Sequence, residues 1–201
     1  MIDGWGRRKL DPLLTALAQR LHAAGISANA VTAASFLVGL CAAAAIIAGQ
    51  FLLALLLILL SRLGDGLDGA VARISGRTDF GGYIDIVFDF AFYGAIPLAF
   101  VIHDPATNGV AGAFLLFSFY ANGASFLAYA AIAEKRRLTT DARGPKSFFF
   151  TTGLAEAGET LIVFLLACLF PGWFPALAYA FAALTFYTTV SRIVLAMRMF
   201  R

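Results

Sequence analysis

Charge is what this chain has least of. Lys, Arg, Asp and Glu make up only 13% of its 201 residues, 61% are hydrophobic, and the mean hydropathy is +0.84. That balance excludes a soluble domain and marks an integral membrane protein. Histidine and cysteine are almost as scarce, with two residues of each. Cys41 and Cys168 lie alone inside apolar runs, with no C-x-x-C spacing and no neighbouring His. A thiolate metal centre and a disulfide are thereby excluded, and small apolar packing remains as their role. Also missing is a basic stripe. The pI is about 9.1, yet the Lys and Arg residues gather at the ends of apolar runs, so no nucleic-acid partner is expected. The N-terminal MIDGWGRRKLDPLL has neither an uninterrupted apolar core nor a small-residue cleavage site, and no signal peptide is expected there. The long runs show no period-two alternation, which excludes a barrel.

What is present is a set of apolar runs long enough to cross a bilayer as helices, for which about 20 residues suffice. The fold class expected is an all-α integral membrane protein with six transmembrane helices and an N-terminal amphipathic juxtamembrane helix. The spans read as Asn29 to Ala48, Phe51 to Ile74, Gly81 to His103, Gly109 to Ala133, Gly153 to Phe170 and Phe174 to Met199. Residues 1–28 should form a cytoplasmic or interfacial segment and 29–201 the transmembrane domain, which would carry whatever activity the chain has. Leu10, Leu13, Leu14, Leu17 and Leu21 recur at helical spacing, so Leu10 to Ala24 should lie on the inner membrane surface; packing on the cytoplasmic loops is the alternative.

The breaks at Gly49-Gln50, at 103–109 and at Pro171-Gly172-Trp173 contain no Lys or Arg. The alternate loops carry Arg77, Lys135, Arg136, Arg137, Arg143 and Lys146, and both termini are basic. This asymmetry places both termini in the cytoplasm.

Four aspartates interrupt this apolar background. They stand in Asp65-x-x-Asp68-Gly69-x-x-Ala72-Arg73 and Gly81-x-x-x-Asp85-x-x-x-Asp89. A charged residue near a bilayer centre costs about 2.5 to 3.5 kcal/mol on insertion scales, so the cluster demands a compensating function. Spacings of three and four put each pair on one face of its helix, and the helices are antiparallel neighbours. Asp68 and Asp65 lie about 9 and 13 Å from the cytoplasmic end of one span, Asp85 and Asp89 about 6 and 12 Å from that of the next. Four carboxylates in one layer repel each other unless cations balance them, and oxygen ligands without His or Cys favour Mg²⁺, with Mn²⁺ and Ca²⁺ as alternatives. Gly69 and Ala72 leave room for a ligand or for a neighbouring helix, and Arg73 can pair with a phosphate. Asp79 reads as an ordinary solvated charge, and Arg62, deeper than Asp65, requires a structural partner within the protein.

The string DGLDGAVARISGRTDFGGYIDIVFD resembles the signature of the CDP-alcohol phosphotransferases, D-x-x-D-G-x-x-A-R followed by G-x-x-x-D-x-x-x-D. The segment Ser27 to Thr32 is similar to the family's P-N-x-x-T entry to the first span, with Ala28 in place of proline. The resemblance implies a homodimer in the bacterial inner membrane whose cavity opens to the cytoplasm. It implies phosphatidyl transfer from CDP-diacylglycerol to a small alcohol with release of CMP, dependent on Mg²⁺ or Mn²⁺. Carried onto this sequence, Asp65, Asp68 and Asp85 are metal ligands, and Asp89 is the general base and a possible fourth ligand. Asn29, Thr32, Asp68, Gly69, Ala72, Arg73 and Gly81 line the CDP site. A CDP-aminoalcohol donor with a lipid acceptor is the alternative within the family, and a divalent-cation or proton-coupled transporter is the alternative outside it.

Glu156, Glu159 and Arg192 share the aspartate layer and read either as an acceptor pocket or as an interhelical ion pair. Arg143 and Lys146 suit an acceptor phosphate, although topology alone also asks for basic residues there. Phe148, Phe149 and Phe150 read as an interfacial aromatic belt.

Overall fold

A computed structural model describes residues 2–136 and 157–200, and every element among them is helical. In chain order these are α1 (Ile2–Ala23), α2 (Ala28–Ile47), α3 (Phe51–Ser75), α4 (Asp79–His103), α5 (Pro105–Lys135), α6 (Ala157–Leu169) and α7 (Phe174–Met199), with a single 3₁₀ turn at Pro171–Trp173. Four segments are long and apolar enough to cross a membrane by composition: Ala28–Ile47, Asp79–His103, Pro105–Lys135 and Pro171–Met199. α3 falls outside that group because from its middle onward it carries Arg62, Asp65, Asp68 and Arg73. The described part of α6 has 13 residues, and the start expected at Gly153 lies outside the described residues.

Local chemistry explains the boundaries. Ser27 caps α2 by accepting the Ala30 N–H at 3.2 Å, so Ala28 can occupy the first helical position where proline is favoured but not required. Thr78 caps α4, its hydroxyl accepting the Gly81 N–H at 3.0 Å. The link between α3 and α4 turns at Gly76, whose φ of 95° lies in the region that favours glycine. Of the segment from His103 to Gly109, expected to be a loop, His103 closes α4, Asp104 is a cap, and Pro105 onward is the start of α5. Asp104 accepts the Thr107 N–H at 3.1 Å and Pro105 follows at the first position, an N-terminal helix signal. At the other end, the Arg136 guanidinium donates to the Phe200 carbonyl at 2.5 Å and so serves the last turn of α7.

α2 packs along α3 and α4, and α5 along α7, around a core that includes the fully buried Ile46, Ile58, Phe92, Ile96 and Phe100. Phe100 stacks on Phe174 with ring centroids 4.5 Å apart. Small residues set the closest approaches: a Cβ on Gly64 would collide with Ser35 Oγ, and one on Gly123 with the Phe90 ring. Leu52, Leu56 and Leu60 form an exposed stripe along α3, suited to lipid.

α1 is longer than the expected Leu10 to Ala24 and begins at Ile2. Its Ala18 is completely buried in a second cluster with Val31, Ala70 and Val71, with Leu14 and Leu21 packed alongside. The leucine face is therefore engaged by α2 and α3 over at least part of its length. Packing against protein, the alternative reading of this helix, is what its apolar face achieves.

Candidate active site

The second half of α3, the first half of α4, the start of α2 and the middle of α1 enclose a cavity of about 760 Å³. Its lining contains Asp65, Asp68, Gly69, Ala72 and Arg73 from α3, and Gly81, Asp85 and Asp89 from α4. Asn29 and Thr32 contribute from α2. Every specified position of the two-part motif thus meets around one space, as the helical spacing predicts.

Asp65, Asp68 and Asp85 each offer a carboxylate oxygen, and those three atoms all lie within 4.8 Å of one another. Asp68 is only 6% exposed, and its Oδ2 has no hydrogen-bond partner among the described residues. An orphaned buried carboxylate oxygen is costly, and convergent oxygen donors beside it are what a hard divalent cation needs. The donor set therefore fits Mg²⁺ or Mn²⁺.

Asp89 lines the same cavity but is engaged differently. Its Oδ1 accepts from Arg62 Nη1 at 2.6 Å, and the same guanidinium nitrogen lies 3.5 Å from Asp65 Oδ1. Arg62 also sits over the Phe92 ring, 3.9 Å from its centroid, and donates to Ser61 Oγ at 3.3 Å. The partner that Arg62 needed is therefore Asp89, with Asp65 as a second. The signal was available in outline, because a cation inside an apolar run requires a carboxylate within reach. Its assignment to Asp89 depends on how α3 and α4 cross.

Gly81 and Gly69 serve different ends. A Cβ on Gly81 would approach Asn29 Oδ1 and Thr78 Oγ1 to 2.9 Å, so Gly81 admits the Asn29 side chain from α2. A Cβ on Gly69 would meet nothing nearer than Arg73 Nη1 at 4.0 Å, leaving open space on the cavity wall. Arg73 itself reaches Asp11 Oδ1 on α1 at 3.3 Å in an exposed pair. Asp11 and Leu14 join the lining from α1, a contribution that sequence reasoning did not find.

The acceptor candidates are described only in part. Arg143, Lys146 and Glu156 lie outside the described residues, as do Phe148, Phe149 and Phe150. Glu159 is half-buried in the first turn of α6 and is not among the described residues that line the cavity. The Arg192 Nη1 donates to Asn122 O at 3.0 Å, Asn122 Oδ1 at 2.9 Å and Ser125 Oγ at 2.6 Å. These partners are neutral oxygens of α5, because α7 packs along α5, and no pairing with Glu159 is seen among the described residues.

Fold and cavity together define a membrane-embedded helical enzyme whose polar site opens where two antiparallel helices meet. Comparison with known proteins sharpens that class. A profile of the CDP-alcohol phosphatidyltransferase family matches residues 25–191. Inner membrane protein YnjF of Escherichia coli (strain K12) is 42% identical over 193 residues, covering 96% of this chain and 94% of that protein. The crystal structure of Mycobacterium tuberculosis phosphatidylinositol phosphate synthase (PgsA1) with manganese and citrate superposes with a TM-score of 0.71 at 22% identity, over 90% of this chain and 87% of that one. The same synthase with CDP-DAG bound gives 0.67 at 24% identity, over 90% of each chain. The chain belongs to the CDP-alcohol phosphatidyltransferase family. It is accordingly a CDP-alcohol phosphotransferase, an integral membrane enzyme of phospholipid biosynthesis, and the transporter alternative falls away.

Proposed function

We propose that the enzyme transfers a phosphatidyl group from CDP-diacylglycerol to the hydroxyl of a small alcohol and releases CMP. The observation that carries this reading is the convergence of Asp65, Asp68 and Asp85 at a cavity lined by the rest of the motif. The three carboxylates would hold Mg²⁺ or Mn²⁺. A bound divalent cation would supply positive charge beside the pyrophosphate oxygens and offset the charge that develops on the departing CMP.

The protein's own groups do the remainder. Arg73, at the cytoplasmic end of α3, pairs with a phosphate of the nucleotide once it leaves Asp11. Gly69 and Ala72 leave the α3 backbone approachable, while Asn29, Thr32 and Gly81 shape the far wall for the cytidine end. The acceptor oxygen attacks the β-phosphorus, the phosphorus–oxygen bond to CMP breaks, and the hydroxyl proton passes to the Asp89 carboxylate. Arg62 occupies Asp89 Oδ1, so the second carboxylate oxygen is the one that takes the proton.

The full topology belongs to the same proposal. α2 to α7 make six spans, α3 and α6 included, with both termini in the cytoplasm of the bacterial inner membrane and two chains forming a homodimer. This orientation puts the cavity in the inner-leaflet layer, where a lipid with a water-exposed nucleotide can present it.

The test is CMP release by the purified protein, with CDP-diacylglycerol and a panel containing glycerol 3-phosphate, an inositol phosphate, serine and an amino-alcohol, with Mg²⁺, Mn²⁺ or chelator. Metal-dependent CMP release matched by a new phospholipid is expected for one alcohol of the panel. Failure of every alcohol with CDP-diacylglycerol, alongside turnover of a CDP-aminoalcohol with a lipid acceptor, would reverse donor and acceptor.

A further inference from the structure

Among the described residues, five aspartates line the cavity, and four of them belong to the motif on α3 and α4. The fifth, Asp11, comes from α1. Its Oδ1 accepts from Arg73 Nη2 at 3.3 Å, so the guanidinium placed to hold a phosphate already has an anion of the chain beside it. A carboxylate at the mouth of an anion site is the opposite of what binding alone asks for.

Docking of α1 does not explain it. That contact rests on Ala18, buried without exposure among Val31, Ala70 and Val71, with Leu14 and Leu21 alongside. Leu14 also reaches α3 at Gly66, where a Cβ would stand 3.5 Å from Leu14 Cδ1. Asp11 lies one turn before Leu14 and next to Pro12, which gives no N–H to the helical ladder. The ion pair can therefore open at a weakened joint of α1 while the docked part stays in place. Opening it is easy in another respect: the Arg73 and Asp11 side chains are 48% and 60% exposed, and an ion pair that open is screened by water and salt.

The reaction itself changes the charge that this pair meets. In CDP-diacylglycerol each phosphorus carries one negative charge. When the bond from the β-phosphorus to the bridging oxygen breaks, that oxygen leaves with the α-phosphate, and CMP is left as a monoester of about −1.5 to −2 charge at pH 7. Charge alone thus favours retention of the product over the donor at Arg73 and the metal. Resting on the phosphatidyl-transfer reading above, we propose that Asp11 is a product-release residue: it competes with the nucleotide phosphate for Arg73, and it repels the CMP monoester more strongly than the donor. Asp11 touches no reacting atom. It acts through Arg73, as a positioning residue that α1 brings to the edge of the site.

The experiment is CMP binding to detergent-purified protein with Mg²⁺, followed by calorimetry, with CDP-diacylglycerol in mixed micelles measured by displacement of labelled CMP. Asp11→Asn is expected to lower the Kd for CMP about two- to fivefold, the size of an exposed ion pair, and the Kd for the donor by less. Asp11→Glu keeps the charge and should bind CMP as the wild type does. In an Arg73→Gln background, Asp11→Asn should have little further effect, because the group it competes for is gone. Should Asp11→Asn lose its fold, read as a collapsed Tm, Asp11→Ser removes the same charge and takes its place. Unchanged CMP affinity in a folded Asp11→Asn or Asp11→Ser protein would overturn the proposal. Weaker CMP binding with a lower Tm would overturn it too, and would make Asp11 a mere strut of α1. An equal gain in the Arg73→Gln background would overturn the route through Arg73. A wild-type protein that binds no CMP at all would remove the phosphatidyl-transfer reading itself, together with this inference.

Discussion

At the scale of single residues, the same chemical group is put to different uses by its neighbours. Asp65, Asp68 and Asp85 share a small volume, whereas Asp89 is tied to Arg62 across 27 residues of sequence. Replacing any of the first three by Asn is expected to reduce CMP release to background and to remove bound Mn²⁺, while the protein remains folded and inserted. Asp89→Asn should keep metal and CDP-lipid binding but lose the roughly 100-fold to 10,000-fold typical of a missing general base, measured as CMP release at saturating donor. The glycines offer a second contrast. Gly69 faces open space, so Gly69→Leu should change stability by about 0.5 kcal/mol or less and instead raise KM for the CDP-lipid. Gly64 is pressed against Ser35 of α2, and Gly64→Leu should cost about 1 to 3 kcal/mol or more by overpacking, seen as a lower Tm in detergent. The sequence made the motif residues visible because chemistry at fixed helical spacing leaves a pattern. It did not reveal that Asp89 rather than Asp65 would take the short bond to Arg62, because that depends on where two helices touch.

Helices, as elements, were legible to different degrees. α2, α3, α4 and α7 fall within two residues of their expected bounds, since Ser27 and Thr78 cap α2 and α4 while Gly49-Gln50 and Pro171-Gly172-Trp173 break the apolar runs before α3 and α7. α5 starts four residues earlier than expected because Asp104-Pro105, read as a loop, is a cap followed by a favoured first residue. α1 was recognised from its leucine spacing, but what covers those leucines was not, because periodicity shows that a face is apolar without naming what lies on it. The structure supplies the answer in Ala18, packed without exposure among Val31, Ala70 and Val71. Ala18→Leu should therefore destabilise the docked α1 by about 1 to 3 kcal/mol. Because Asp11 and Leu14 of α1 line the cavity, the same change should also raise KM for the CDP-lipid. Unaltered kinetics in a folded Ala18→Leu protein would show that α1 docking is dispensable for the site.

For the whole molecule, the proposed orientation has a direct check. In a protein whose Cys41 and Cys168 have been replaced, a cysteine at the exposed Ala106 should react with a membrane-impermeant reagent added to intact cells, and one at the exposed Ala24 only after lysis. The opposite pattern would place the cavity on the wrong side for a cytoplasmic nucleotide. Asn108 is unsuitable as a probe, since it is buried and its side-chain amide donates to the Phe100 carbonyl at 2.8 Å. The charge content of α3 also bears on how the protein is made. This helix carries the Arg62–Asp65 pair and is not among the segments apolar enough to cross by composition, yet the ribosome delivers it before α4. When Arg62 first enters the insertion machinery, Asp89 has still to be synthesised. Asp65, one turn along the same helix, is then the nearest counter-charge available. In the proposed six-span topology, the pair within α3 can escort the cation into lipid and hand it to α4 afterwards, so that the nascent chain exposes no solitary guanidinium to the bilayer.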